Sequence, residues 1–296
     1  MKTMSTFPTI ISEIIPEWKE NTFNLIVSSS GSGKSMMCFS NIAYGSASKL
    51  YVNNKWVNNS KQSKDKVLYI GTHMDLYNEC IPPMVYFVGE VDYYKFLSDK
   101  LSYEEWNRYR DAFGILYDNK NIFLKKCEDY DCGLLRTMVE SDDFKTVFLD
   151  CLEVAPSSGE KEHLEEIAYY CKHTLAKNRT IIATAQANTS LERKKLSEIN
   201  SDYIHVSNSL HKEADTLLFL MKGSYDDYER LSKANSREIS LGLEPEYIRK
   251  ILVKDKTKNC SVPSGTCLWR YVEPGTLRWY DLFMTDSEYK IIDLMV

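Results

Sequence analysis

Asn24-Leu25-Ile26-Val27-Ser28-Ser29-Ser30-Gly31-Ser32-Gly33-Lys34-Ser35-Met36-Met37 is the stretch that decides the fold. The apolar run 25–27 predicts a buried strand, and the small residues 28–33 follow it directly. Lys34 and Ser35 then open a segment, 36–43, with helical character. A strand, a turn of small residues and a helix N-terminus are the order that a phosphate-binding P-loop requires. The stretch therefore predicts a nucleotide site at the end of a buried strand.

The residue types in this turn match the chemistry of a bound triphosphate. Glycines allow backbone N–H groups to curl around phosphates, and the helix dipole adds partial positive charge. Lys34 is predicted to reach the β- and γ-phosphates, and the Ser35 hydroxyl to bind Mg²⁺. The first motif position is Ser28 instead of glycine, which a small residue tolerates. The alternative is a Gly/Ser turn that precedes a lysine by chance. The predicted ATP-binding residues are Ser30, Gly31, Ser32, Gly33, Lys34, Ser35 and Met36.

Composition, net charge and cysteine spacing exclude several classes of protein. The chain has 296 residues and a formal net charge of −5, which argues against nonspecific coating of nucleic acid. Eight cysteines stand at irregular spacings without a signal peptide, so we expect reduced thiols and a cytoplasmic protein. The pairs Cys127/Cys132 and Cys260/Cys267 lack CxxC spacing, and no zinc site is predicted. No apolar run approaches the 18 residues of a membrane span, so no membrane partner is expected.

Alternating apolar and amphipathic segments predict a mainly parallel sheet. Residues 1–22 are predicted to be a lead-in segment with a helix around 10–15, and residues 23–296 one ATPase domain. Loops are predicted at 53–65 and 188–212. Strands are predicted at 66–70, 121–124, 146–150, 180–186, 215–221 and 247–253, the last with a hairpin partner at 265–271. Helical segments are predicted at 93–113, 160–177 and 223–244, and within the first of them Ser102 is the predicted cap of residues 103–106.

The strand 146–150 ends in a carboxylate, Asp150. An aspartate at the carboxyl end of a strand, downstream of a P-loop, is typical of a Walker B motif that holds Mg²⁺ through water. By itself, an apolar run followed by Asp occurs by chance in many strands. Ser35 and Asp150 are the predicted Mg²⁺ residues.

Several separate stretches together resemble one family. Val88-Gly89-Glu90-Val91-Asp92 through Phe113, the Walker B end Phe148-Leu149-Asp150, Ala183-Thr184-Ala185-Gln186, and Ser207-Asn208-Ser209-Leu210 follow the order found in DnaB-type replicative DNA helicases, particularly phage-encoded ones. The chain resembles their RecA-like motor domain from about residue 10 to about 281. The resemblance implies an α/β RecA-like P-loop NTPase fold with a mainly parallel central sheet. The family's N-terminal collar has no counterpart in the sequence.

The resemblance also implies roles for residues outside the P-loop. Gln186 matches the γ-phosphate sensor, and Lys254 and Lys256 match the basic pair that reaches the neighbouring subunit's γ-phosphate, with lysine where an arginine finger is usual. His73 stands where the family has its catalytic glutamate, and Asp75 is a candidate substitute. The residues in the family's DNA-binding region are Arg193, Lys194, Lys195, His205, Ser207 and Asn208. Without the resemblance, the lysine run and the 193–195 cluster read as solvated surface, and His73 as an ordinary packed or exposed residue.

The function implied is that of an ATP-dependent helicase that translocates on single-stranded DNA as a homo-oligomeric, hexameric ring. A primase or a helicase loader is the implied partner, and ATP and Mg²⁺ are the cofactors. Two alternatives stay open. One is a RecA-type recombinase or a helicase-loading ATPase. The other is a non-hydrolysing, ATP-switched assembly that binds single-stranded DNA, which the histidine at position 73 favours.

Overall fold

The computed structural model describes residues 6–72, 75–128, 130–152, 160–188, 191–204 and 209–294. Its centre is a ten-stranded sheet with the order β14-β13-β12-β11-β10-β3-β9-β8-β6-β7. A hairpin of β1 (Thr6–Pro8) and β2 (Glu17–Lys19) and a second hairpin of β4 (Lys49–Val52) and β5 (Lys55–Asn58) lie outside it. The sheet strands are β3 (Thr22–Ser28), β6 (Lys66–Gly71), β7 (Ile122–Lys126), β8 (Phe144–Asp150), β9 (Thr180–Gln186), β10 (Thr216–Lys222), β11 (Ile248–Thr257), β12 (Cys267–Val272), β13 (Trp279–Thr285) and β14 (Ile291–Leu294).

The half of the sheet from β10 to β7 is entirely parallel. Its central strands are covered on both faces, which is why they read as continuous apolar runs. All seven residues of β3 are buried. Phe23, Leu25 and Val27 face one hydrophobic core, and Ile26 faces the other. The predicted strands of this half and the predicted mainly parallel sheet are confirmed.

Helices cover the two faces of the parallel half. The core that contains Ile26 is closed by α1 and α2, and the opposite core by α5 and α6. The helices are α1 (Lys34–Ser46), α2 (Ile81–Gly89), α3 (Tyr93–Leu97), α4 (Tyr103–Tyr117), α5 (Cys132–Val139), α6 (Glu160–Tyr170), α7 (Ser209–Glu213) and α8 (Tyr225–Ala234). In the described part of the chain, no helix combines the length and apolar content that crossing a bilayer requires.

The N-terminus of α4 follows the predicted capping signal. Ser102 accepts a hydrogen bond from the Glu105 N–H, and the Glu105 carboxylate accepts one from the Ser102 N–H. This reciprocal capping box satisfies two otherwise unpaired donors. Burial raises the pKa of Glu105, but hydrogen bonds from Lys95 and Ser102 outweigh it and lower the pKa to about 2. Glu105 is therefore ionised at neutral pH and fixes the start of the helix.

The other half of the sheet is antiparallel, and the sequence predicts only some of its strands. β11 pairs with β10 and with β12, so the predicted hairpin of 247–253 and 265–271 is confirmed. Strand β11 continues through the lysine run to Thr257. Strands β13 and β14, which complete this half, were not predicted.

Three local predictions are wrong. Residues 10–14 form turns between β1 and β2 instead of a lead-in helix, although Ile11, Ile14 and Trp18 are fully buried against α1 as expected. The predicted loop 53–65 contains β5, whose Trp56 packs edge-on against Tyr51 of β4. The predicted helix 223–244 ends at Ala234, and turns follow it. In each case, tertiary pairing or chain length overrides the local pattern.

Candidate nucleotide site

The register of the parallel strands gathers the predicted site at one edge of the sheet. Ser28 at the end of β3 pairs with Gln186 at the end of β9. Asp150 at the end of β8 pairs with Gly71 at the end of β6. Because the carboxyl ends of parallel strands share an edge, the P-loop, Asp150 and Gln186 lie at the same edge of the sheet. We call this edge the P-loop edge.

The P-loop itself has the backbone that its glycines permit. Gly31 has φ 72° and Gly33 has φ 99°, in the left-handed region that favours glycine. Gly33 directly precedes α1, and the first turn of α1 carries no acidic residue. The Lys34 Nζ donates hydrogen bonds to the carbonyl oxygens of Ser28 at 3.2 Å and Ser29 at 3.4 Å. The helix N-terminus and the ammonium group thus form a concentrated positive region, which suits phosphate.

Asp150 is held firmly by two hydroxyl groups. The Tyr69 hydroxyl donates to one carboxylate oxygen at 2.9 Å, and the Thr184 hydroxyl to the other at 2.5 Å. Burial and the neighbouring Asp150 carboxylate raise the pKa of Tyr69, so its hydroxyl stays protonated as a donor. Cys38 in α1 is buried beside Asp150, and burial and that carboxylate both raise the pKa of its thiol. Helix α1, which carries Ser35, packs against β8, the strand that ends in Asp150.

The donors on these elements suit Mg²⁺ in the form in which nucleotide enzymes use it. Ser35 and Asp150 offer a hydroxyl and a carboxylate oxygen, and Mg²⁺ prefers such hard ligands while keeping several waters and phosphate oxygens. Within the described ranges, no group of three or more His, Cys, Asp or Glu side chains could hold a metal by protein ligands alone.

Two cations beside the P-loop were missed from the sequence. The Lys222 Nζ lies 3.7 Å from the position of a Cβ on Gly31, and the Arg249 Nε lies 3.4 Å from that on Gly33. These residues are cross-strand partners at the P-loop edge, on β10 and β11. Burial lowers the pKa of Arg249 to about 10, and it remains charged. A basic residue directly after the apolar run 216–221 was the available signal for Lys222, whereas Arg249 becomes visible only through the antiparallel pairing.

The predicted trans-acting lysines lie at the opposite edge of the sheet. The Lys256 Nζ donates to the carbonyl oxygen of Lys212 at 3.3 Å, and the adjacent Thr257 pairs with Thr216 at the start of β10. Lys254 is partly buried two residues earlier in β11. Because the amino ends of the parallel strands lie at this edge, neither side chain meets its own P-loop.

Only part of the predicted DNA-binding region lies within the described residues. Arg193 and Lys195 are exposed, and the Lys194 Nζ lies 5.6 Å from the centre of the Tyr203 ring. The predicted loop 188–212 is anchored in its described portion by buried Leu191 and Leu196. His205, Ser207 and Asn208 lie outside the described residues.

Of the two candidates for the catalytic base, Asp75 lies within the described residues and His73 does not. Asp75 accepts hydrogen bonds from the Asn78 N–H at 2.9 Å and from its side-chain amide at 3.1 Å. Asp75 therefore caps the turn that leads into α2.

Comparison with known proteins gives the family. The model of the DnaB-like helicase C terminal domain family matches residues 4–257. The fold is similar to that of a DnaB-like replicative helicase described with its primase interactions, at a TM-score of 0.68 and 16% identity over 92% of this chain and 61% of that chain. It is also similar to the solved ATPase domain of a second protein, at a TM-score of 0.64 and 16% identity over 89% of this chain and 86% of that chain.

At such identities the solved structures support the RecA-like fold alone. The chain also spans only about three fifths of the length of the first of these helicases. The family match is stronger, because it extends over well more than half of the chain and includes the P-loop, Asp150 and Gln186. The chain belongs to the DnaB-like helicase C-terminal domain family.

Proposed function

We propose that this protein is an ATP-dependent replicative DNA helicase that translocates on single-stranded DNA as a hexameric ring. The observation that carries the proposal is the convergence of Lys34, Asp150 and Gln186 at one sheet edge beside α1. Lys34 binds the β- and γ-phosphates, Ser35 and Asp150 hold Mg²⁺ directly or through water, and Gln186 contacts the γ-phosphate. Mg²⁺ supplies charge stabilisation for the phosphoryl group when it is bound.

The position of Lys254 and Lys256 supports an active site shared between subunits. Arg249 lies at the P-loop edge and Lys256 lies seven positions further along the same strand. Because β11 bulges before Thr257, the β10 partners of Arg249 and of Thr257, next to Lys256, are only six positions apart. At ~3.3 Å per residue, this separation is about 20 Å, which exceeds the span of a lysine side chain. A cation that serves hydrolysis from this position must therefore act on a neighbouring subunit. A head-to-tail arrangement that closes into a ring places it there.

Single-stranded DNA is the proposed track, and the basic run 193–195 is its proposed phosphate contact. This run follows β9, whose last residue, Gln186, contacts the nucleotide in our proposal. Exposed cations close to a nucleotide-sensing strand suit contacts with a backbone that carries one charge per nucleotide. A primase or a helicase loader is the proposed protein partner, and the cytoplasm is the proposed site of action.

One specific observation favours a second function, an ATP-switched DNA-binding assembly without hydrolysis. The family's glutamate position holds His73, and both oxygens of Asp75 already cap the following turn. A carboxylate that orients water against the γ-phosphate would have to come from elsewhere. We favour hydrolysis because Lys34, Asp150, Gln186 and the lysine pair are all retained.

The test is Mg·ATP binding and hydrolysis, with and without single-stranded DNA, followed by unwinding of a forked duplex. Lys34→Ala should abolish nucleotide binding or weaken it severely, because it removes the P-loop ammonium group. Lys55→Ala, an exposed lysine of the β4–β5 hairpin, is the matched control and should behave as wild type. Unchanged nucleotide affinity in Lys34→Ala would refute the assignment. ATP binding without any turnover would replace the helicase proposal with the switch.

A further inference from the structure

A carboxylate from the predicted loop 188–212 is bound on the P-loop. Glu192 accepts a hydrogen bond from the Ser32 hydroxyl at 2.8 Å and one from the Ser29 hydroxyl at 3.2 Å. The Leu191 N–H donates to the Ser29 hydroxyl oxygen at 3.1 Å. Three hydrogen bonds therefore connect two adjacent residues of the segment 191–195, which we call the tether segment, to the loop that would cradle phosphates.

We propose that Glu192 is an internal anion that competes with nucleotide phosphate for the P-loop, and that its displacement frees the tether segment. This inference rests on the proposed function, because it requires nucleotide to bind at the P-loop. It adds a regulatory element to that site, namely a link between phosphate binding and the basic run 193–195.

Competition follows from the shared donors and from charge. Ser29 and Ser32 lie on either side of Gly31 in the phosphate-binding turn, and Ser32 is fully buried. A triphosphate bound in this turn would use the same two hydroxyls that donate to the carboxylate. The crevice beside them holds about 460 Å³ and is lined by Glu192, Gln186 and Lys222. A carboxylate and a phosphate placed together in this crevice would repel each other, so binding of one disfavours the other.

Two cations beside the P-loop explain why a carboxylate binds there. Lys222 and Arg249 approach Gly31 and Gly33, and the Glu192 carboxylate helps to keep Arg249 charged against the effect of burial. These cations attract an anion whether it belongs to the protein or to a nucleotide. Glu192 therefore masks part of a site whose charge would otherwise draw phosphate.

The link to DNA binding follows from chain connectivity. Arg193, Lys194 and Lys195 come directly after Glu192, between the buried anchors Leu191 and Leu196. A side chain tied to the P-loop restricts the backbone of its immediate neighbour. When phosphate takes the serine hydroxyls, the tether segment loses two of its three hydrogen bonds to the P-loop, and Arg193 to Lys195 gain freedom.

The first measurement is the affinity of the full chain for a fluorescent ATP analogue with Mg²⁺. Glu192→Gln keeps the shape of the side chain and removes its charge, and it should bind the analogue about five- to tenfold more tightly than wild type, because neutral hydrogen bonds to the serines are weaker than those to a carboxylate. The difference should shrink as salt is raised, since part of it is repulsion. Glu198→Gln, which lies just beyond the tether segment and accepts a hydrogen bond from the Lys195 N–H instead of from the P-loop, is the matched control and should equal wild type.

The second measurement is the rate of tryptic cleavage after Arg193, Lys194 and Lys195. In wild type, the Mg²⁺ complex of the analogue should accelerate cleavage at these bonds several-fold. In Glu192→Gln, cleavage should be fast already and should change little when the analogue is added. Glu198→Gln should retain the wild-type response.

The outcomes separate this inference from the proposed function. If wild type binds no nucleotide, the proposed function fails and the inference falls with it. If wild type binds nucleotide and Glu192→Gln binds with equal or lower affinity, only the competition is overturned. If the affinity rises but cleavage in wild type does not respond to nucleotide, the link to the basic run is overturned. Thermal melting of Glu192→Gln guards against a folding defect. Glu192→Asp, which is shorter but still charged, is a second guard and should bind the analogue with intermediate affinity.

Discussion

Replacing Lys256 tests whether the active site is shared between subunits. Lys256 lies on β11 at the edge of the sheet opposite the P-loop. The β10 partners of Arg249 and of Thr257, next to Lys256, are six positions apart, which is about 20 Å at ~3.3 Å per residue. In Lys256→Ala, nucleotide binding by the isolated subunit should therefore be unchanged. Hydrolysis in the assembled ring should fall, because each site loses a cation that its neighbour supplies.

The size of the loss follows from the chemistry of the lysine. Trans-acting arginine fingers contribute about 10³–10⁵ to the rate of phosphoryl transfer. A lysine keeps the charge but lacks the planar fork, so we expect a loss of about 10²–10³ in kcat. Lys258→Ala is the matched control from the same lysine run. Lys258 pairs with Asp215 at 3.1 Å, and Lys172 pairs with the same carboxylate, so its loss should leave kcat near wild type.

Mixing two inactive variants gives the decisive assay. Lys34→Ala disables its own P-loop but can donate Lys256, whereas Lys256→Ala keeps its P-loop and lacks the donated lysine. In an equimolar random ring, about one quarter of head-to-tail interfaces combine an intact P-loop with an intact lysine. Steady-state ATPase of the mixture should therefore exceed that of either variant alone and reach up to about a quarter of wild type if interfaces act independently. A mixture no more active than its components, or wild-type turnover by Lys256→Ala alone, would refute the shared site.

Four further outcomes are expected. Neutralising the basic run 193–195 should reduce the slope of log affinity for single-stranded DNA against log salt concentration by about 0.7 per lost phosphate contact, equally for all sequences. An unchanged slope would mean that these charges only solvate the surface. If His73 accepts the proton in hydrolysis, kcat should fall as the pH drops through about 6.5 and His73→Ala should be inactive, whereas an active His73→Ala excludes this role. Lys250→Met leaves the Asp227 carboxylate buried without its 2.7 Å partner, and it should lower the free energy of unfolding in urea by about 3–5 kcal/mol. The double variant Lys250→Met, Asp227→Asn should recover most of this loss. The folded-state pKa of Glu105, about 2, lies below its ordinary value of 4.5. Glu105→Gln should therefore lower the melting temperature at pH 7, and this effect should disappear as the pH falls towards 2. A difference in melting temperature between variant and wild type that stays constant across this pH range would contradict the assignment.

The parallel half of the fold could be predicted because the features that specify each strand lie within a short stretch of sequence. Strands such as β6 and β10 are buried on both faces, so their sequences contain unbroken apolar runs, from which a strand can be predicted directly. The end of each run then carries the chemistry, as with Asp150 and Gln186, because strand ends in a parallel sheet share one edge. The capping box at Ser102 was equally local, since both partners lie within one turn.

The features that could not be predicted depend on contacts between distant segments. Ile10, Ile11, Ile14 and Ile15 have helical spacing, yet the chain between β1 and β2 is too short for a stable helix and forms turns that bury the same residues. Arg249 reaches the P-loop only because β11 runs antiparallel beside β10. Glu192 reaches Ser29 and Ser32 from more than 150 residues away, and no spacing in the sequence signals a hydrogen bond across that separation.

Strand β11 connects the two places where this chain would meet nucleotide. Arg249 lies beside its own P-loop at one end, and Lys254 and Lys256 lie at the far end, where a neighbour's nucleotide would be. Between them, the fully buried ammonium group of Lys250 pairs with Asp227 of α8 at 2.7 Å. Residues 249–252 of β11 are paired on both sides and fixed by this buried ion pair, so they move as one rigid element, because sliding them would break the ion pair and both ladders together. A change in the anion beside Arg249, from the Glu192 carboxylate to a phosphate, therefore acts on a strand that also carries the catalytic lysines proposed for the next subunit.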